Sequence, residues 1–275
     1  MDLSAFEANL DTYAASDLGG YLVLGSNGEA ASLDESEKLA LVSATRRHAN
    51  GRFVLAGTGL ESTAATITLT TKAADAGADA VLVLTPHYYK AQMTQDILRA
   101  HFEAVADASP IPIYLYSVPV FTGLPFPAPL AAAMAPHQNV AGMKESSGDL
   151  GLMSRILATV PQKFTVACGS APVLYPALCL GAQAGFLAVA CCAPDAAAAV
   201  YEAQAKGDHE RARKLQLALT PLATAVTGTY GVPGLKLAMD VAGLKGGHPR
   251  RPLLPAPPAA REELQRLLSQ AREAI

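Results

Sequence analysis

Several kinds of chemistry are excluded by what this sequence does not contain. There is no stripe of lysine and arginine. The formal charge is −3 and the pI about 6.1, so nucleic acid is disfavoured as a partner. The four cysteines (Cys168, Cys179, Cys191, Cys192) include no CxxC and lie in apolar segments. They read as small buried hydrophobes in a reducing compartment. No two of the six histidines have HxxxH spacing, so a metal-dependent aldolase or hydrolase is only weakly supported, and no metal is expected. Met1-Asp2-Leu3-Ser4 carries no basic n-region, so no signal peptide is read there and a cytoplasmic location is expected. No charged residue occurs between Lys163 and Asp195, but Gly169, Pro172, Pro176, Gly181 and Gly185 punctuate that run. Two buried strands around a short helix fit it better than a membrane span.

What is present is apolar and periodic. Of 275 residues, 51% are hydrophobic, enough for a large core. Short runs rich in Val, Leu and Ile start at residues 21, 53, 80, 113, 140, 164 and 185 and alternate with helical segments. The predicted strands are 21–25, 53–57, 80–84, 113–117, 140–144, 164–168 and 185–190. Among the helices, Ser32-Leu33-Asp34-Glu35 reads as a capping box for one to about Ala49, Gly77 closes another, Thr94 caps one to Ala108, and Asp149 caps one at 150–160. Strands apolar on both faces, alternating with helices, mean a parallel sheet covered on both sides. No GxGxxG follows the first strand, so a (β/α)8 TIM barrel is preferred to a doubly wound sheet. The expected division is a barrel domain over 1–207 and a C-terminal helical domain over 208–275. Nothing before residue 21 reads as a strand, so the barrel is expected to lack its first strand. Either the barrel is incomplete there or the true start lies upstream of Met1.

Reactive groups in such a barrel sit at the C-terminal ends of strands. Lys144 ends the strand Val140-Ala141-Gly142-Met143-Lys144. Burial favours a neutral amine, the nucleophile that Schiff-base chemistry needs; the alternative is a lysine snorkelling to solvent. Tyr116 ends the strand before it, as a proton shuttle or as a tyrosine lining the mouth. Gly25-Ser26-Asn27-Gly28-Glu29 is followed by a helix cap, so it reads as a concave turn for a small carboxylate or as an ordinary βα loop. Tyr88 and Tyr89 are adjacent aromatics in a loop and read as interface residues.

Taken together, Gly25–Glu29, Tyr116-Ser117-Val118-Pro119 with Thr122-Gly123, and Gly142-Met143-Lys144-Glu145-Ser146 resemble the dihydrodipicolinate synthase / N-acetylneuraminate lyase superfamily of pyruvate-dependent class I aldolases. The resemblance runs from about Leu3 to the C-terminus. Ser-Asn in the 25–29 turn, Tyr-Ser-Val-Pro, Gly-Met-Lys, the segment Gly231-Val232-Pro233-Gly234-Leu235-Lys236 and Gly246-Gly247 look most like 4-hydroxy-2-oxoglutarate aldolase. The resemblance implies that Lys144 forms the imine with pyruvate and that Tyr116 relays protons. It also implies that Tyr88 reaches a neighbouring site across a tight dimer, that Ser26 and Asn27 hold the substrate carboxylate, and that Ser146 lines the acceptor side. A homotetramer built as a dimer of dimers is implied as well, with no organic cofactor. Two departures stand out: the synthase branch has an arginine where this chain has Val120-Phe121-Thr122, and the family's first strand, ending in Thr-Pro-Phe, has no counterpart here. The alternatives are another pyruvate-releasing lyase or synthase of the superfamily, acting on a sugar-acid, aryl-pyruvate or dihydrodipicolinate-type substrate, and a non-catalytic barrel that binds 2-oxo acids.

Overall fold

The computed structural model describes every residue from Met1 to Ile275. In chain order the elements are α1 (Leu3–Tyr13), β1 (Gly20–Val23), α2 (Glu35–His48), β2 (Phe53–Gly57), α3 (Thr63–Asp75), β3 (Ala80–Leu84), α4 (Gln95–Ala108) and β4 (Ile113–Ser117). They continue with α5 (Pro119–Thr122), α6 (Ala128–Met134), β5 (Val140–Glu145), α7 (Leu150–Leu157), β6 (Thr165–Cys168), α8 (Leu174–Leu180) and β7 (Ala184–Gly185). Helices α9 (Pro194–Ala205), α10 (His209–Thr224), α11 (Gly231–Val241) and α12 (Ala260–Glu273) complete the chain. The strands form one parallel sheet in the order β1 to β7. This is the TIM-barrel architecture with seven strands in place of eight, and the helices lie outside it.

The strands separate two apolar layers. Alternate residues such as Val54, Val81, Ile113, Leu115, Met143 and Val166 belong to a 58-residue core between sheet and helices. Leu55, Ala80, Leu82, Tyr116 and Val118 form a small second cluster, which lines the inside of the barrel. Helices α10 to α12 contribute Leu215, Leu219, Leu235, Leu264 and Leu268 to the large core, so the C-terminal helices share the apolar layer that packs against the outside of the sheet.

Local signals account for most boundaries. Gly77, at φ 102°, takes the left-handed position after α3 that a residue with a Cβ avoids. The side chains of Thr94 and Asp149 accept backbone N–H groups at the starts of α4 and α7. Three expectations are corrected. The capping box of α2 is Asp34 with Glu37, because Asp34, two residues after Ser32, is the last extended residue before the helix. The strand expected over 185–190 is only Ala184–Gly185, followed by a tight turn at Ala188–Cys191; within its apolar run Val189 is buried and the rest is half-buried or exposed. Helix α9, not anticipated at all, is an alanine-rich stretch whose proline occupies the tolerated first position.

Between the two end strands the sheet is open. Tyr13 crosses this seam: its phenol donates to the Cys191 carbonyl at 2.6 Å. Burial, with the Cys191 and Cys192 thiols nearby, raises its pKa well above the ordinary tyrosine value.

Candidate active site

The site grows from the pairing of β4 and β5. Ile113 pairs with Val140, but Tyr114 pairs with Gly142, so the register shifts by one residue between them. That bulge places Tyr116 directly opposite Lys144. An unshifted register would have set Tyr116 against Met143, whose side chain points to the other face. Gly142 permits the arrangement, since a Cβ there would lie 2.2 Å from the Thr165 carbonyl oxygen and 2.9 Å from the Tyr114 ring.

Lys144 is 6% exposed, and Tyr116 is 5% exposed. The lysine Nζ donates to the tyrosine Oη at 3.3 Å and sits 4.5 Å from its ring centroid. No carboxylate pairs with Lys144; its buried amino group has a phenol and a π face for company. The Tyr116 hydroxyl also shares a 3.4 Å hydrogen bond with Ser26 Oγ. Lys144, Tyr116 and Ser26 therefore form a chain of polar groups across the barrel, long enough at each link to tighten around a substrate.

Ser26 and Asn27 begin a single turn of 3-10 helix, Ser26–Gly28, on the loop after β1. Their backbone N–H groups have no acceptor in the protein, which suits an anion in the concavity. Two non-glycine residues in the left-handed region bracket this turn, Leu24 at φ 63° and Glu29 at φ 57°. Such conformations cost on the order of 1–3 kcal/mol and persist only where the surroundings hold them.

Ser146 lies two residues beyond Lys144, and its Oγ is buried without a partner. A Cβ on Gly169 would lie 1.8 Å from that oxygen and 2.8 Å from Lys144 Cε. Gly169 is thus the space into which both side chains fit. In the sequence Gly169 reads only as punctuation of an apolar run and not as part of the site; a glycine directly after the strand at 164–168 is the available signal. Glu145 was likewise given no role. It is 1% exposed, and its Oε1 accepts from the Ser147 N–H at 2.9 Å and the Ser117 hydroxyl at 3.3 Å. These bonds tie the loops after β4 and β5 together, while Oε2 has no partner.

Cysteine does not compete as the nucleophile here. Burial raises the Cys191 thiol to about 11, against the opposing charge of Lys144. Burial likewise raises Cys168 to about 11, an effect that a backbone hydrogen bond from Ser170 only partly offsets. Both thiols stay protonated near neutral pH, and the reactive form of cysteine is the thiolate.

Tyr88 is not brought to Lys144 within one chain. It is 76% exposed and stacks edge-on against Tyr89 at 5.1 Å. Its backbone N–H, with that of His87, is held by the Glu61 carboxylate at 2.8 and 2.9 Å. On the loop after β4, Val120 and Phe121 are also exposed. Lys90 lies against this loop: a Cβ on Gly123 would sit 2.8 Å from its Nζ.

Comparison with known proteins shows the family and the fold. A model of the dihydrodipicolinate synthetase family matches residues 1–271. A 4-hydroxy-tetrahydrodipicolinate synthase from an Exiguobacterium species is 35% identical over 274 residues, covering 99% of this chain and 93% of the relative. The crystal structure of dihydrodipicolinate synthase from Thermotoga maritima superposes with a TM-score of 0.94 at 28% identity, covering 100% of this chain and 94% of that one. The chloride-inhibited dihydrodipicolinate synthase of Acinetobacter baumannii, complexed with pyruvate, gives a TM-score of 0.91 at 28% identity, covering 99% and 93%.

Proposed function

The chain belongs to the dihydrodipicolinate synthetase family and is a pyruvate-dependent carbon–carbon lyase or synthase of that type; from this premise we propose that it is a Schiff-base aldolase cleaving 4-hydroxy-2-oxoglutarate to pyruvate and glyoxylate. The observation that carries the chemistry is the buried Lys144 amine, free of carboxylates and 3.3 Å from the Tyr116 phenol.

Unprotonated Lys144 attacks the C2 ketone, and loss of water leaves an imine conjugated to the substrate. Protonated, this imine accepts the electron pair of the C3–C4 bond as it breaks, which is the reason for the covalent lysine. Tyr116 relays the C4 hydroxyl proton toward solvent, passing its own phenolic proton on as it accepts the substrate's, while glyoxylate departs. The remaining enamine is protonated at C3, and water releases pyruvate and regenerates the amine. Ser26 and Asn27 receive the pyruvate-side carboxylate, and Ser146 faces the acceptor.

The aldolase reading over the synthase reading rests on the loop after β4, where Val120 and Phe121 stand in place of an arginine. The synthase reading has support of its own. The relatives carry synthase names, and Lys90 brings a cation to the same loop. Exposed Tyr88, Tyr89, Val120 and Phe121 fit an interface with a second copy, consistent with Tyr88 entering a neighbouring site and with a homotetramer of tight dimers. All four cysteines are free, which accords with a reducing, cytoplasmic setting. No helix is long and apolar enough to cross a membrane.

The test is intact mass and peptide mapping after incubation with pyruvate and borohydride. One reduced pyruvyl adduct on Lys144 is expected; folded protein without it would refute the imine mechanism. Turnover of 4-hydroxy-2-oxoglutarate, set against condensation of pyruvate with an amino-acid-derived aldehyde, then separates aldolase from synthase.

A further inference from the structure

The segments Gly231–Lys236 and Gly246–Gly247 lie far along the chain from every reactive group, yet the structure brings them to the mouth. Lys236, on α11, places its Nζ 3.1 Å from Glu29 Oε2, and Glu29 is the last residue of the turn that carries Ser26 and Asn27. The same ammonium donates to the Gly246 carbonyl at 3.1 Å. The other Glu29 oxygen, Oε1, accepts the Arg250 backbone N–H at 2.7 Å. The carboxylate is therefore held on both sides by the C-terminal region, and its side chain is only 10% exposed.

The strap from Lys245 to Arg250 is itself pinned. Lys245 exchanges two hydrogen bonds with the Asn9 side chain at 2.8 and 2.9 Å. The Gly246 N–H donates to Asp240 at 2.8 Å, and a Cβ on Gly246 would fall 1.9 Å from the Lys236 carbonyl oxygen. The Arg250 side chain donates to the Ser32 carbonyl and pairs with Glu37. Glu29 meets this anchored strap while sitting in the left-handed region at φ 57°, a conformation that a glutamate does not hold unaided.

We infer that Glu29 and Lys236 are positioning residues: through this pair the C-terminal helices hold the 25–29 turn in the shape that receives the substrate carboxylate. The inference rests on the reading of Ser26 and Asn27 as the carboxylate site. It assigns the pair to affinity for the 2-oxo acid, since neither residue reaches the reacting carbons. The Lys144–Tyr116 pairing, set by strand register, is independent of it. A loosened turn presents its N–H groups at the wrong place and weakens capture of the carboxylate, while bond cleavage in the captured substrate proceeds as before.

The experiment compares wild type with Lys236→Met, which keeps the aliphatic stem, Glu29→Gln and Lys236→Arg. Lys206→Met, which removes an exposed helix-surface pair with Glu202, is the control. The readouts are thermal stability, KM and kcat for the 2-oxo acid substrate, and the pyruvate concentration that gives half-maximal borohydride trapping. Lys236→Met and Glu29→Gln are expected to raise KM and the half-trapping concentration about tenfold, with kcat changed less than about threefold. Lys236→Arg is expected to retain most of the affinity, and Lys206→Met all of it. Unchanged half-trapping concentrations in folded variants, or parallel losses of kcat and stability with KM constant, would overturn the assignment. Wild type that forms no adduct would instead sink the aldolase reading, so the two failures are distinguishable.

Discussion

The two ends of the barrel treat their polar groups in opposite ways. At the N-terminal ends of the strands, the polar side chains are committed to the backbone. Arg52 donates to the carbonyls of Tyr13, Ala14 and Ser16 and to the Tyr21 hydroxyl. Asp79 pairs with Arg46 and accepts the Val54 N–H. Asn139 donates to Ala106 and Ser109, both at 2.9 Å. At the C-terminal ends, Lys144 has only a long bond to a phenol, and Ser146 Oγ and Glu145 Oε2 have no partner at all. Two left-handed non-glycine residues stand there as well. One end spends its polar groups on stability, and the other keeps them available for a ligand at some cost to the fold.

This contrast can be broken by substitution. Lys144→Ala is expected to abolish trapping and to lower kcat by at least about a thousandfold, with stability undiminished because a buried, poorly partnered amine is gone. A variant that turned over well, or that failed to fold, would contradict the assignment of this end to function. Tyr116→Phe keeps the ring beneath the amino group and removes the relay. A loss of kcat of about a hundredfold is expected, with the half-trapping concentration of pyruvate nearly constant; equal losses in both would make the tyrosine a packing residue. At the opposite end, Arg52→Met is expected to lower stability by about 2–3 kcal/mol in denaturant titrations while leaving kcat and KM of the folded enzyme intact. A kinetic defect there would erase the contrast between the two ends.

The smallest effect concerns the α2 cap. Hydrogen bonds from the Ser36 hydroxyl and then the Glu37 N–H hold the Asp34 carboxyl below its unperturbed value of 3.8. A depressed folded pKa means the contribution is present above the unfolded value and lost as pH falls through the folded one. Wild type and Asp34→Asn are therefore expected to differ in melting temperature at neutral pH and to converge in acid. A gap that stayed constant down to acid pH would show that charge plays no part in the cap.

Much of the frame was legible in the chain because its signals are local. Strands 53–57, 80–84 and 113–117 appear where they were expected, since short runs rich in Val, Leu and Ile, apolar on both faces and set between glycine, proline and capping residues, suit a buried parallel strand. The Asp149 cap and the lysine at the end of its strand were legible for the same reason. The 185–190 run was misread because an apolar segment reads alike whether it forms a strand or a turn.

Residue order thus determined the alternation of strand and helix, the caps, and the presence of a lysine, a tyrosine and a Ser-Asn turn at strand ends, because each depends on neighbours a few positions away. Only the folded chain decided that Tyr116 faces Lys144, through a one-residue bulge. Only the fold decided that Gly169 leaves room for Lys144 and Ser146, and that α11 reaches back to Glu29. Strand register and the meeting of distant segments are set by packing across the whole barrel, and packing between residues far apart in the chain leaves no periodic trace in the sequence.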